Sequence, residues 1–344
     1  YNIAIGNSSL DELTSGDSNT AVGYNAGHSV TTGYNNTFIG LAAGGETTTG
    51  ATNTFIGFEA GNSTTTGHRN TAVGTNAYDD AATTEGDNTA VGYFALASNA
   101  INGAEFNTAV GSYAGDAISG ADNCTLVGYT AGSQITTGNK STCIGSGAGT
   151  AITTADNNVT VGDSAGTVIT TGENNTFVGT YAGNRLVDGT GNICIGYDAD
   201  TSASDQSNAI AIGYNIQAAG NDFSFGKASN VVTCDFDADA DWARSSDLRL
   251  KRNIQDTTLG LDFINDLRPI KFQWKPSNEV PKEMKSEYNE VNQKNLDITS
   301  HGFIAQEVKE AIDKHGDTTF GGWHLDKADN ETQRVKKNMF VMPL

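Results

Sequence analysis

Apolar and polar positions recur along most of this chain in one fixed order. An N-T-x-[I/V]-G motif closes on a glycine at Gly6, Gly23, Gly40, Gly57, Gly74, Gly92, Gly111, Gly128, Gly145, Gly162, Gly179, Gly196 and Gly213. The step is 17 residues, with one of 18 and one of 19, so thirteen copies stand in tandem. The residue before the glycine is Ile or Val in every copy, and Thr fills most positions two residues earlier (Thr20, Thr37, Thr54, Thr71). A β-branched pair at that spacing predicts one short strand per copy, with both residues on one face. The position between them is also apolar or small (Ala21, Phe38, Phe55, Ala72, Leu126, Cys143, Phe177). A strand apolar on both faces is hard to satisfy with one thin layer of coils, whose outer face meets water. The pattern therefore predicts a partner for the second face, most simply another copy of the chain.

The polar columns fix the turns. Asn leads the motif in ten of the thirteen copies, among them Asn19, Asn36, Asn53, Asn70 and Asn175. Asn at a constant turn position predicts a ladder of side-chain amides, each capping the backbone of the next coil. Ala stands three residues after the motif glycine (Ala26, Ala43, Ala60, Ala148, Ala182), where small side chains allow close backbone approach. A second turn reads T-T-G or T-T-T-G, as at Thr31-Thr32-Gly33 and Thr170-Thr171-Gly172. These columns predict a mainly β chain: a parallel β-solenoid or β-roll of thirteen short repeats over residues 1–227. At the usual ~4.8 Å between strands it would run roughly 60 Å. The repeats resemble the head repeats of trimeric bacterial adhesins, which build a parallel β-roll that trimerises; the resemblance implies a homotrimeric shaft.

Charge separates this repeat from the C-terminal remainder of the chain. Residues 1–240 carry 23 Asp and Glu against four Lys and Arg, a balance of −19, whereas residues 241–344 are close to neutral at −1. An acidic shaft repels phosphate backbones and anionic membranes, which argues against nucleic-acid partners and membrane insertion. Cys124, Cys143, Cys194 and Cys234 have no CxxC spacing and no histidine at ligand distance, so they read as buried free thiols; neither a metal nor a cofactor is expected. Acids recur at no single column of the repeat. Asp79, Asp80 and Glu85 sit in an irregular copy and read as a surface loop.

The repeat fades at Phe223-Ser224-Phe225-Gly226, and residues 228–245 read as a transition. All four prolines lie beyond it. A helix is predicted around Leu261–Leu267, a strand from Ile270, and an amphipathic helix over Gln306–His315. Three segments occur in order: Ser246-Asp247-Leu248-Arg249-Leu250-Lys251-Arg252-Asn253-Ile254, Leu267-Arg268-Pro269-Ile270-Lys271-Phe272-Gln273-Trp274, and Gly302-Phe303-Ile304-Ala305-Gln306-Glu307-Val308. Together they resemble the intramolecular chaperone domain of endosialidases, which ends many phage tail spikes and tail fibres.

That resemblance covers residues 246–344 and implies a small α+β domain that trimerises, templates the fibre before it and then cuts itself off. It implies further helices beyond Leu344. By position it makes Ser246 the nucleophile and Lys251 the base, and Ser245–Ser246 the scissile bond. Asp247, Arg249 and Asn253 would support them. Read without the resemblance, Ser246-Asp247 is a helix cap and Lys251 a solvated side chain. The implied protein is a virion tail fibre or spike, built in the host cytoplasm and extracellular after release. Its expected partners are two further copies of the chain, other tail proteins and a host cell-surface glycan or protein. A trimeric bacterial surface adhesin and an ice-binding solenoid with an ordered Thr face are the alternatives the repeat leaves open.

Overall fold

In the computed structural model, the residues described are 1–79, 86–98, 103–228, 230–237, 242–243, 252, 259–282, 288, 290–291, 296–297, 299–317, 320, 323–326 and 332–335. The chain divides into two units, Tyr1–Ser245 and Ser246–Leu344.

The first unit is a parallel β-solenoid with one short strand per repeat. These are β1 (Ile3–Ile5), β2 (Thr20–Val22), β3 (Thr37–Ile39), β4 (Thr54–Ile56), β5 (Thr71–Val73), β6 (Thr89–Val91), β7 (Thr108–Val110), β8 (Thr125–Val127), β9 (Thr142–Ile144), β10 (Val159–Val161), β11 (Thr176–Val178) and β12 (Ile193–Ile195). A two-residue strand, β13 (Asp200–Thr201), precedes the thirteenth rung, β14 (Ile210–Tyr214), and pairs with β15 (Gln217–Ala218). Equivalent residues stack in strict register, as in Thr37↔Thr54 and Phe38↔Phe55. A 17-residue period carried by β-branched pairs thus becomes a sheet in which each strand's neighbours are the preceding and following copies.

Inside and outside are assigned unequally. From β2 to β12 the middle residue of each strand is fully buried (Ala21, Phe38, Phe55, Leu126, Phe177), whereas its β-branched neighbours point outward and stay partly exposed; β1, at the end of the stack, is exposed at all three positions. The core is completed by the Ala column (Ala26, Ala43, Ala60) and by an apolar column near the second turn (Val30, Ile118, Ile135, Ile152, Ile169). The Phe38 and Phe55 rings pack against each other inside it, tilted by 31° with centroids 5.6 Å apart.

Glycine closes the motif because the backbone needs it. Gly57 has φ +144°, and a Cβ there would meet the Gly74 carbonyl oxygen at 2.3 Å. Gly61, at φ +59°, lies against the Phe55 ring, so a Cβ would meet ring carbon Cδ2 at 2.5 Å.

The Asn column forms the expected ladder. Asn53 Nδ2 donates to the Gly67 carbonyl (2.8 Å), and Asn53 Oδ1 accepts the backbone N–H of Asn70 (2.9 Å). Each fully buried amide thereby holds two backbone groups of the next coil. Ser141, at the same column, has a buried hydroxyl with no partner. A second ladder runs along the T-T-G turns, where Thr31 Oγ1 donates to the Thr48 carbonyl (3.2 Å) and Thr48 Oγ1 to that of Thr65 (3.1 Å).

Strands continue past the thirteenth rung. β16 (Asp222–Lys227) pairs in parallel with β14 after a step of only 13 residues, putting Ser224 into the core column and Gly226 beside Gly213. Within the stretch read as a transition, β17 (Asn230–Asp235) turns back antiparallel on β16, and β18 (Trp242–Ala243) pairs antiparallel with β17. The stacking direction ends there. All four cysteines are free and buried, as expected from their spacing. Of the irregular loop, Asp79 accepts a hydrogen bond from Asn76 Nδ2 (2.7 Å), while Asp80 and Glu85 lie outside the described residues.

Candidate functional site

The second unit is a small α+β assembly. Helix α1 (Leu261–Asp266) ends at Leu267, whose backbone is extended two residues before Pro269; proline disfavours the helical conformation in the residue before it. Strand β19 (Ile270–Phe272) pairs antiparallel with β20 (Ser300–Gly302), joining Ile270 to Gly302 and Phe272 to Ser300. Helix α2 (Ala305–Lys314) then buries Val308, Ala311 and Ile312, an i, i+3, i+4 stripe, against Leu259 and Phe263. A hairpin of β21 (Trp323–Asp326) and β22 (Thr332–Val335) adds Trp323 and Val335 to that cluster.

Charged pairs clasp both ends of α2. Arg268 Nε donates to Glu307 Oε2 (3.1 Å) in the first turn, and this pairing raises the Arg268 pKa further. At the far end Asp266 accepts from Lys314 Nζ (2.8 Å), and its other oxygen lies 2.7 Å from His315 Nε2. Those two bonds, Lys314 first, hold the Asp266 carboxyl below the usual range. All are solvent-accessible and screened, so they mainly set register. The segments Leu267–Trp274 and Gly302–Val308, 28 residues apart in sequence, are therefore neighbours twice, through the β19–β20 ladder and through Arg268–Glu307.

Ser245, Ser246, Asp247, Arg249, Lys251 and Asn253 all lie outside the described residues; Arg252, between Lys251 and Asn253, is exposed. The described residues of this unit therefore include none of the reacting groups implied by the resemblance. Sequence reasoning gave Glu307 no catalytic role and overlooked the pairing that its acid beside Arg268 makes available. It also overlooked the β21–β22 hairpin, although Trp323 and Leu325 alternate ahead of Asp329-Asn330, residue types that favour turns.

A parallel β-solenoid of thirteen rungs, followed along the chain by a small α+β unit, fits the architecture of a tail fibre or spike. Residues 246–317 match the family model described as chaperone of endosialidase, beginning at the residue where the second unit begins. No curated protein and no solved structure matches the chain. Among the described residues no helix is long and apolar enough to cross a membrane.

Proposed function

We propose that this chain is the shaft of a phage tail fibre or spike, a homotrimer used in host attachment, whose C-terminal unit templates assembly and then releases itself. The observation that carries the proposal is the match of residues 246–317 to the chaperone of endosialidase, directly behind a β-solenoid.

The physical need for such a unit comes from the shaft. Its strands pair across steps of 17 residues, and every coil lacks a partner until its neighbour forms. Unpaired edges of that kind invite wrong pairing while they wait. A unit that gathers three chains in register raises their effective concentration and starts winding from one end. Once wound, many coils must open together to unfold, so the shaft persists after the unit departs.

In the cleavage step, Ser246 Oγ attacks the Ser245 carbonyl carbon while its proton passes to the neutral Lys251 amine. The Ser245–Ser246 C–N bond breaks, the Ser246 nitrogen takes up a proton, and Ser245 is left as an ester on Ser246 Oγ. Water then opens the ester, giving a Ser245 carboxylate and restoring the hydroxyl. A serine hydroxyl needs a base to react, and a lysine serves when its amine is neutral. Asp247, Arg249 and Asn253 support the segment. The product is a virion component, extracellular after release, with tail proteins and a host surface glycan or protein as partners.

Ser246→Ala tests the assignment. It is expected to assemble and remain full length, with Lys251→Ala behaving alike. A Ser246→Ala protein that still loses the same C-terminal segment contradicts the nucleophile.

A further inference from the structure

One face of the solenoid differs from all others in charge. It holds the outward Thr column, the outward Ile or Val column, the motif glycines and the residue after each glycine. Across thirteen rungs its one charged residue is Asp163, although residues 1–240 hold 23 acids. The Ile and Val ridge stays open to solvent, with Ile39, Val110, Ile144, Val178 and Ile195 each 37–38% exposed. A second ridge carries aromatic rings in many rungs, including Phe58, Tyr93, Tyr129 and Tyr214, each 44–59% exposed. Tyr197 and Tyr214 stack along it with centroids 5.2 Å apart. Between the ridges runs a strip with no side chains, because the motif glycines admit none.

We infer that this face is the contact between copies of the chain, the Ile/Val ridge of one shaft lying along the glycine strip of the next. The inference rests on the fibre reading above and adds the surface through which the shafts meet. Three features favour a second copy over another occupant. Thirteen rungs at ~4.8 Å and four residues at ~3.3 Å give a strip of roughly 800 Å², which is what one partner buries in a standard interface. Its rung spacing is matched along the whole length only by a surface with the same spacing, which this chain supplies. The other sides carry almost all of the −19 charge and repel their own kind, so close approach of two shafts is least costly here.

Thiol cross-linking decides the question. The native cysteines are buried, so an introduced surface cysteine is the reactive one. Ile144→Cys places a thiol on the ridge; Thr137→Cys places one on the exposed T-T-G turn. Each full-length variant is treated with a short bis-maleimide, and its native mass is measured in parallel. The expected result is a trimer that cross-links at position 144 and at least tenfold less at 137. A trimer that links at 137 alone, or at neither position, overturns the face and leaves the assembly reading standing. A monomeric unmodified chain overturns both. As a second perturbation, Ile144→Asp with Val178→Asp puts two charges at outward positions and is expected to weaken self-association at least 100-fold. Unchanged trimers from that pair would also overturn the face.

Discussion

Removing one amide from the Asn ladder should loosen two neighbouring coils. In Asn53→Ala the Asn70 N–H loses its acceptor and the Gly67 carbonyl its donor, at 2.9 and 2.8 Å in the intact chain. Asn53 is fully buried, so water does not replace either bond without opening the turn. A buried backbone group left unpaired costs about 1–3 kcal/mol, so two give roughly 2–6 kcal/mol. Stability in a stack of repeats is set by each coil and its neighbours, so the loss should be local. Native-state hydrogen exchange reads it: amides of β4 and β5 should exchange at least 30-fold faster, and those of β11 at an unchanged rate. The reciprocal change is Ser141→Asn, where the existing hydroxyl is buried and unpartnered. It should add the missing bonds and slow exchange around β9 and β10. If Asn53→Ala leaves β4 and β5 unchanged, the ladder is a consequence of stacking rather than a cause.

Other perturbations test the same columns. Thr47 and Thr64 occupy core positions that are Val or Ile in other copies, and their buried hydroxyls lack partners; Thr47→Val and Thr64→Val should each stabilise by about 1 kcal/mol in thermal unfolding. Asp200 is buried, and desolvation raises its pKa to about 6 despite backbone donors from Thr201 and Arg185. An acid whose folded pKa lies above its unfolded value binds its proton more tightly when folded. Stability should therefore fall as pH rises from about 4 to about 6, by on the order of 2–3 kcal/mol, and then level off. Asp200→Asn should abolish that slope in unfolding measured across this range. Burial pushes the Cys143 thiol up to about 12 and Cys124 to about 11; an aromatic disulfide reagent should find no reactive thiol in the native protein and four after denaturation.

Much of the shaft was legible because each column has one physical reason. Ile or Val before the glycine located the strand of each of the thirteen copies, Asn located the ladder, and the cysteine spacing located buried thiols. Which strand face turns inward was not legible. The middle residue and its flanking Ile or Val are both apolar, so alternation alone carries no sign; in the structure Phe38 goes in and Ile39 stays out. The fourteenth rung was hidden by its 13-residue step and by Ser224 in a core column, where its hydroxyl lies 3.0 Å from Thr233 Oγ1. Left-handed residues were hidden too. Thr52, at φ +60°, has a conformation that Asn adopts at the matching positions 35 and 174. In the second unit both helices were readable from periodicity, whereas Arg268–Glu307 depends on a 39-residue separation that no local pattern encodes.

The central claim, that a C-terminal unit assembles the shaft and then leaves it, is tested most directly by the intact mass of the full-length chain. It would be expressed without added protease and measured after denaturation. The account predicts two polypeptides, one ending at Ser245 and one beginning at Ser246. A single uncut polypeptide would contradict the release step, and if its native mass were also that of a monomer, the templating role would fall with it.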